Sequence, residues 1–373
     1  FVERGDSLHG LELGPDGVPA DDWEAHDAAF GPSLSGELFT RRRGYRGPGA
    51  GAPVSVWRTP WPQPHNGRLA GPLPAAEVTR YEVLARAYAA HLRARGWTTP
   101  HLCAYIFDEV DGPTDVDSND RRDRSTRRAR DASYVRMAHR QMARVQRAMD
   151  RGAGAAGPRI DLMWTGHTNP ARWRGRAGLD LGGVIRLFVP NAHAADPRYL
   201  ARRARLGDRW WFYHSGHPAV GVHAINAPGI ELRTWGVIAA RYGAHGQLMW
   251  AVNLGDAERP LHRPSYKPDD DRFGNGTLVY PGAALPTIGQ PALAEPVPSM
   301  RLKAWRRGLQ DAELARLARR AGHGAAVDRI LRRLVPRALV ISTREQLEGA
   351  TRNTSAIPLP AIVDSLEFLA EEI

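Results

Sequence analysis

Cysteine is almost absent from this 373-residue chain: Cys103 is the only one. A single thiol can form no internal disulfide, and no cysteine-rich metal centre can be assembled. Lysine is nearly as scarce. Lys267 and Lys303 are the only two, so arginine carries almost all of the net charge of +11. That arginine-for-lysine balance, beside high Ala and Gly, reads as the bias of a GC-rich genome. The densest basic run, Arg121 to Asp131, is interrupted by acids and reads as a solvated loop entering a helix, so no nucleic-acid partner is expected. Long apolar runs are missing as well: none approaches the roughly 20 residues that span a bilayer, and no membrane partner is expected. No signal peptide is visible, and the chain starts at Phe1 and not at Met, as expected for a piece of a longer protein. No glycine-rich phosphate loop follows a strand-like run, and HExxH and GxSxG are absent, which speaks against dinucleotide, zincin and serine-hydrolase chemistry. No repeat of fixed period occurs.

What is present is ample material for a core. Apolar residues make up 42% of the chain, with 11 Trp, 10 Tyr and 8 Phe. Short apolar runs recur at His9–Leu13, Val54–Trp57, Leu102–Asp108, Ile160–Thr165, Val184–Pro190, Arg209–His214 and Gly246–Asn253. Most are continuously apolar, as parallel strands covered on both faces should be. Amphipathic helices are predicted between them, over Glu77–Gly96, Tyr134–Gly152 and Glu231–Gly243, from apolar residues spaced by three and four. Strand-helix alternation of this kind means an α/β fold. An eight-stranded (β/α) barrel of the TIM type, lacking its first strand in this chain, is the simplest completion; an open doubly wound sheet is the alternative. The barrel is expected over residues 1–322 and a C-terminal helical extension over 323–373. Asp256 to Pro298 is Pro- and Gly-rich and expected to be irregular.

In a barrel, function gathers at the C-terminal ends of the strands. There the chain offers aromatic, amide and imidazole residues: Trp61 and His65 after the second run, Trp164 and His167, Asn191 and His193, Tyr213, His214 and His217, then Trp250 and Asn253. Such a rim suits a neutral polyhydroxylated ligand. Carboxylates are few. The best are Asp108 and Glu109, adjacent at the end of AYIFDEVDG. An ordinary retaining glycosidase places two carboxyl groups about 5 Å apart, usually from different strands. Two sequence neighbours suit a substrate that supplies its own nucleophile. A 2-acetamido sugar attacks its anomeric carbon through the amide oxygen, one acid protonates the leaving group, and the other orients the amide. His214, His217 and His223 lie close in sequence without zinc spacing, so no metal and no other cofactor is expected.

Ala85–Asp111, which contains the acid pair, resembles the corresponding segment of glycoside hydrolase family 123. Ile225–Asn253, Gly274–Gly282 and Pro298–Leu314 resemble the associated "domain of unknown function 4091" region, and Ala25–Phe39 fits an early part of that barrel. The acid pair is followed by Val110 where the family commonly has Pro. The resemblance implies an exo-acting β-N-acetylgalactosaminidase, with Glu109 as general acid/base and Asp108 orienting the acetamido group. It implies sugar contacts by strand-end aromatics and amides, for which Trp61, Trp164, His167, Asn191, Tyr213, Trp250 and Asn253 are the candidates. It also implies a β-sandwich preceding this chain in the full protein, and a secreted or periplasmic location suits a glycan-degrading enzyme. A glycan-binding barrel without activity and a hydrolase of a different glycan are the alternatives.

Overall fold

The computed structural model describes residues 23–47, 49–61, 64–66, 69–110, 132–155, 157–166, 181–214, 219–225, 227–253, 274 and 276–339. The expected strand at His9–Leu13, the basic run at 121–131, His167, His217, Asp256 and the part of the C-terminal extension beyond residue 339 lie outside them. The described residues form an α/β fold whose main sheet has six strands. These are β1 (Val56–Arg58), β3 (His101–Ala104), β5 (Ile160–Gly166), β6 (Leu187–Pro190), β7 (Arg209–Tyr213) and β8 (Gly246–Leu248), hydrogen-bonded in that order. Each of the six overlaps a run that the sequence pattern marked, with β1, β3 and β5 reaching one residue beyond it. The chain divides into two compact units, Val2–Phe188 and Val189–Ile373.

In the first unit β1, β3 and β5 pair in parallel, with Arg58 beside Cys103 and Ala104 beside Leu162. All seven residues of β5 are buried, so both faces of the strand are covered. The run Leu102–Asp108, predicted as one strand, is two. Tyr105 and Ile106 interrupt it, and β4 (Phe107–Asp108) pairs instead with β2 (His65–Asn66), Asp108 opposite Asn66. Helix α2 (Ala75–Ala94) buries Val78, Tyr81, Leu84, Ala85, Tyr88, Ala89 and Leu92, one face at helical spacing. Helix α3 (Ala132–Ala153) docks on β5 through Gln146, whose amide donates to Ile160 O at 3.0 Å and accepts from Leu162 N at 2.6 Å. That buried amide satisfies two backbone groups that the strand itself leaves open. Helix α1 (Trp23–Ser35), which the sequence pattern did not mark, lies on α2 through Trp23 stacked on His91, with ring centroids 3.7 Å apart.

In the second unit β7 and β8 are parallel, Tyr213 beside Leu248. Helix α4 (Pro197–Arg205) starts where the Asp196 carboxylate accepts from Arg198 N and Tyr199 N. Helices α5 (Glu231–Tyr242) and α6 (Met300–Ala318) pack with backbones in contact. A Cβ on Gly236 would sit 1.7 Å from Gly308 O, and one on Gly308 would sit 2.3 Å from Arg233 O. The Arg233 guanidinium binds both oxygens of buried Asp311 across the same contact, at 2.6 and 3.2 Å. Helix α7 (Gly324–Leu334) follows a kink at Gly322. The stretch expected to be irregular holds a small antiparallel pair, β9 (Val279–Tyr280) with β10 (Val297–Pro298). No helix among the described residues is long and apolar enough to cross a membrane.

Candidate active site

The acid pair stands where β4 stops. Asp108 is the last residue of the strand, and Glu109 has φ of 49°, the left-handed region that a non-glycine side chain rarely adopts. Strain of this kind gathers at functional sites, where surrounding contacts hold it. Two of the described residues supply such contacts. The Tyr105 hydroxyl donates to Asp108 Oδ1 at 2.5 Å. Thr165 Oγ1, near the end of β5, accepts from Glu109 N at 3.3 Å and donates to Phe107 O at 3.2 Å. Asp108 Oδ1 lies 3.5 Å from the same hydroxyl.

Arg58, the last residue of β1, holds its guanidinium carbon 5.1 Å over the Tyr105 ring. Burial lowers the Arg58 pKa, opposed by the negative character of Tyr105, Cys103 and Asp108. Its Nε is buried with no hydrogen-bond partner among the described residues. Burial and then the Asp108 charge push the Tyr105 phenol well above its ordinary range, so it remains a donor at any working pH. His65 on β2 binds Glu77 at 2.8 Å and stacks on Phe107. The first unit therefore ends three neighbouring strand segments in one polar cluster: Arg58, Tyr105, Asp108, Glu109 and Thr165.

Two aromatic candidates of this unit are buried. Trp61 is 2% exposed and packs against Tyr88 of α2, and Trp164 is fully buried against Phe188. Neither presents a ring face to solvent. Thr165, the neighbour of Trp164 on the opposite strand face, is the β5 residue that meets the acid pair.

In the second unit Asn191 follows β6 and makes an isolated bridge to Tyr213, the last residue of β7. Both are buried, and Asn191 Oδ1 has no hydrogen-bond partner among the described residues. His214, next along the chain, meets His223 edge-on at 4.3 Å between ring centroids. Buried Arg301 of α6 donates to the carbonyls of His223, Gly274 and Thr277, tying the loop before α5 to the turn before β9. Asn253 bridges Thr277 and is exposed. The Trp250 ring lies where a Cβ on Gly276 would be only 2.8 Å away, so only glycine allows that turn to close on the indole. Arg301 has no signal in the sequence beyond its place in a helix.

One other group of ligand-type atoms exists among the described residues: His26, Asp27 and His91. It is wired as a hydrogen-bond chain. Trp57 Nε1 donates to the Tyr88 hydroxyl, which bonds His26 Nε2; His26 Nδ1 and His91 Nε2 both meet Asp27 Oδ1, and Arg95 pairs with the other oxygen. A guanidinium on the sole carboxylate opposes a divalent cation there.

Residues 175–318 match the glycoside hydrolase 123 catalytic domain. The matched stretch contains Asn191, Tyr213, Trp250 and Asn253; Asp108 and Glu109 precede it. No curated protein matches the chain. A solved family 123 glycoside hydrolase from Clostridium perfringens, described for glycolipid glycan hydrolysis, is similar at a TM-score of 0.49 and 13% identity. The similarity covers 81% of this chain and 47% of that one, so this chain spans less than half the length of that protein.

Proposed function

We propose that this chain is the catalytic part of a retaining glycoside hydrolase that acts on 2-acetamido sugars, β-N-acetylgalactosaminides first among them, on a (β/α)8 barrel. The observation that carries the reading is the Asp108–Glu109 pair on a strained strand end, its backbone held by Thr165 and its Asp108 carboxylate held by Tyr105. The family 123 catalytic-domain match of the later residues supports it.

Glu109 gives its proton to the glycosidic oxygen as the bond from that oxygen to C1 breaks. The acetamido oxygen forms the new bond to C1, and the aglycone leaves with the proton. Asp108 accepts the acetamido N–H, aims the carbonyl oxygen and offsets the positive charge of the oxazolinium. Glu109, now a carboxylate, takes a proton from water as the water oxygen attacks C1. The oxazolinium ring opens and the product keeps the β configuration. Asn191, Tyr213, Trp250 and Asn253 are proposed sugar contacts.

Hydrolysis of aryl β-N-acetylgalactosaminide and β-N-acetylglucosaminide tests this, with Glu109→Gln and Asp108→Asn beside the unsubstituted protein. Each substitution is expected to lower turnover by at least about a hundredfold. Turnover that survives both changes, or an equal rate on aryl glycosides lacking the acetamido group, overturns the assisted mechanism. Absence of any turnover favours a glycan-binding barrel.

A further inference from the structure

We propose that Tyr105 and Thr165 are the positioning residues of the acid pair: Thr165 pins the backbone on both sides of Asp108, and Tyr105 holds the Asp108 carboxylate in one orientation and in its ionised form. This rests on the reading of Asp108 and Glu109 as the catalytic pair.

The hydroxyl of Thr165 has one hydrogen and two lone pairs. It gives the hydrogen to Phe107 O, at 3.2 Å, and accepts Glu109 N–H, at 3.3 Å. These two backbone groups flank Asp108. Past Asp108 the chain leaves the β2–β4 ladder and turns into the left-handed region at Glu109. In a continuing strand Glu109 would point away from Asp108, and the left-handed turn breaks that alternation. A left-handed non-glycine residue costs of order 1–3 kcal/mol and persists only where its surroundings hold it. Thr165 supplies a hydrogen bond to the strained residue itself.

Tyr105 acts on the side chain. Its hydroxyl is 2.5 Å from Asp108 Oδ1, within the range of an O–H donor to a carboxylate. Because burial and the Asp108 charge keep the phenol protonated, the bond has one polarity, from tyrosine to aspartate. A donor to the charged form favours that form. An Asp108 that must orient an amide N–H and face an oxazolinium has to be ionised and rotationally fixed. Charged and titratable groups near it among the described residues include Glu109 and Tyr105 on its own segment, Arg58 at the end of β1, Cys103 on β3, and His65 on β2 with its partner Glu77. Of these, Tyr105 donates directly to the carboxylate.

Four proteins separate this from a purely structural role: Tyr105→Phe, Thr165→Val and Thr165→Ser beside the unsubstituted protein, each assayed across pH on the aryl 2-acetamido glycoside. Tyr105→Phe is expected to lower kcat about tenfold, leave KM within about threefold and move the acid limb of the profile up by about one pH unit. Thr165→Val is expected to lose at least about tenfold in kcat, and Thr165→Ser, which keeps the hydroxyl, to recover to within about threefold. An unchanged acid limb in Tyr105→Phe, or a serine variant as poor as the valine variant, overturns the proposal. A second measurement needs no turnover. The carboxyl carbon of Asp108, followed by NMR and identified by its loss in Asp108→Asn, is expected to titrate at higher pH in Tyr105→Phe. An equal midpoint overturns the positioning role. Raised midpoints without any hydrolysis would sustain it and count instead against the catalytic reading.

Discussion

Single residues in this molecule behave according to where the backbone leaves them. Cys103, inside β3, is fully shielded, and burial raises its thiol pKa to about 12, so it stays a neutral thiol. His26 has its pKa lowered by burial, against the pull of Asp27. For Asp27 burial pushes upward, but the hydrogen bonds from His26 and His91 and the charges of His91 and Arg95 prevail, and its pKa falls. Both shifts have the same sign for stability. The unfolded chain binds more protons than the native one, so stability is complete above the ordinary histidine value of about 6.5 and declines as pH falls below it. Asp27 adds a further loss below the ordinary carboxylate range of about 4. Urea melts from pH 8 to pH 4 are expected to show this decline. Asp27→Asn is expected to cost about 2 kcal/mol at pH 7 and to flatten the dependence. A pH-independent midpoint would show that the cluster adds nothing. None of this wiring was legible in the sequence: His26 and His91 are 65 positions apart on different helices, and neither stands at a marked strand end.

At the level of elements, periodicity served well wherever one face is buried. The three helices expected from spacing form at Ala75–Ala94, Ala132–Ala153 and Glu231–Tyr242. It could not reveal the break at Tyr105-Ile106. The run from Leu102 to Phe107 is almost continuously apolar, and an unbroken apolar run contains no mark of where pairing changes partner. That break matters for the site. Residues three apart on a regular strand face opposite ways, so Tyr105 could not bond Asp108 without it. Thr165 was obscured by its neighbour: Trp164 is the more conspicuous residue, but it faces the core. The contact of α5 with α6 was also silent in the sequence, since Gly236 and Gly308 carry no meaning until the helices cross. Gly308→Ala is expected to lower stability by about 1–3 kcal/mol, because the backbone opposite cannot yield as a flexible side chain would. Thermal unfolding checks it, and an unchanged midpoint would show that α6 shifts at no cost.

For the whole molecule the large positive charge is the number that most invites a nucleic-acid reading. Among the described residues several arginines have internal partners: Arg159 pairs with Asp150 and Asp161, Arg203 with Asp208, Arg233 with Asp311, Arg319 with Asp328, and Arg301 binds backbone carbonyls. A guanidinium that closes a loop or crosses a helix contact is not available to a phosphate chain. Duplex DNA is therefore expected not to bind at about 0.15 M salt in a polarisation titration. Micromolar or tighter binding that weakens steeply with added salt would restore the nucleic-acid reading.

The sequence by itself determined the α/β class, six strand positions, three central helices and the acid pair, because each depends on local patterning or on the identity of adjacent residues. Only the tertiary structure decided which groups accompany the acids. Hydrogen bonds such as Tyr105 to Asp108 and Thr165 to Glu109 need a strand break and a neighbouring strand end to bring the partners within 3.5 Å. Such proximity is a property of chain crossings, on which the order of residues along the chain carries no direct signal.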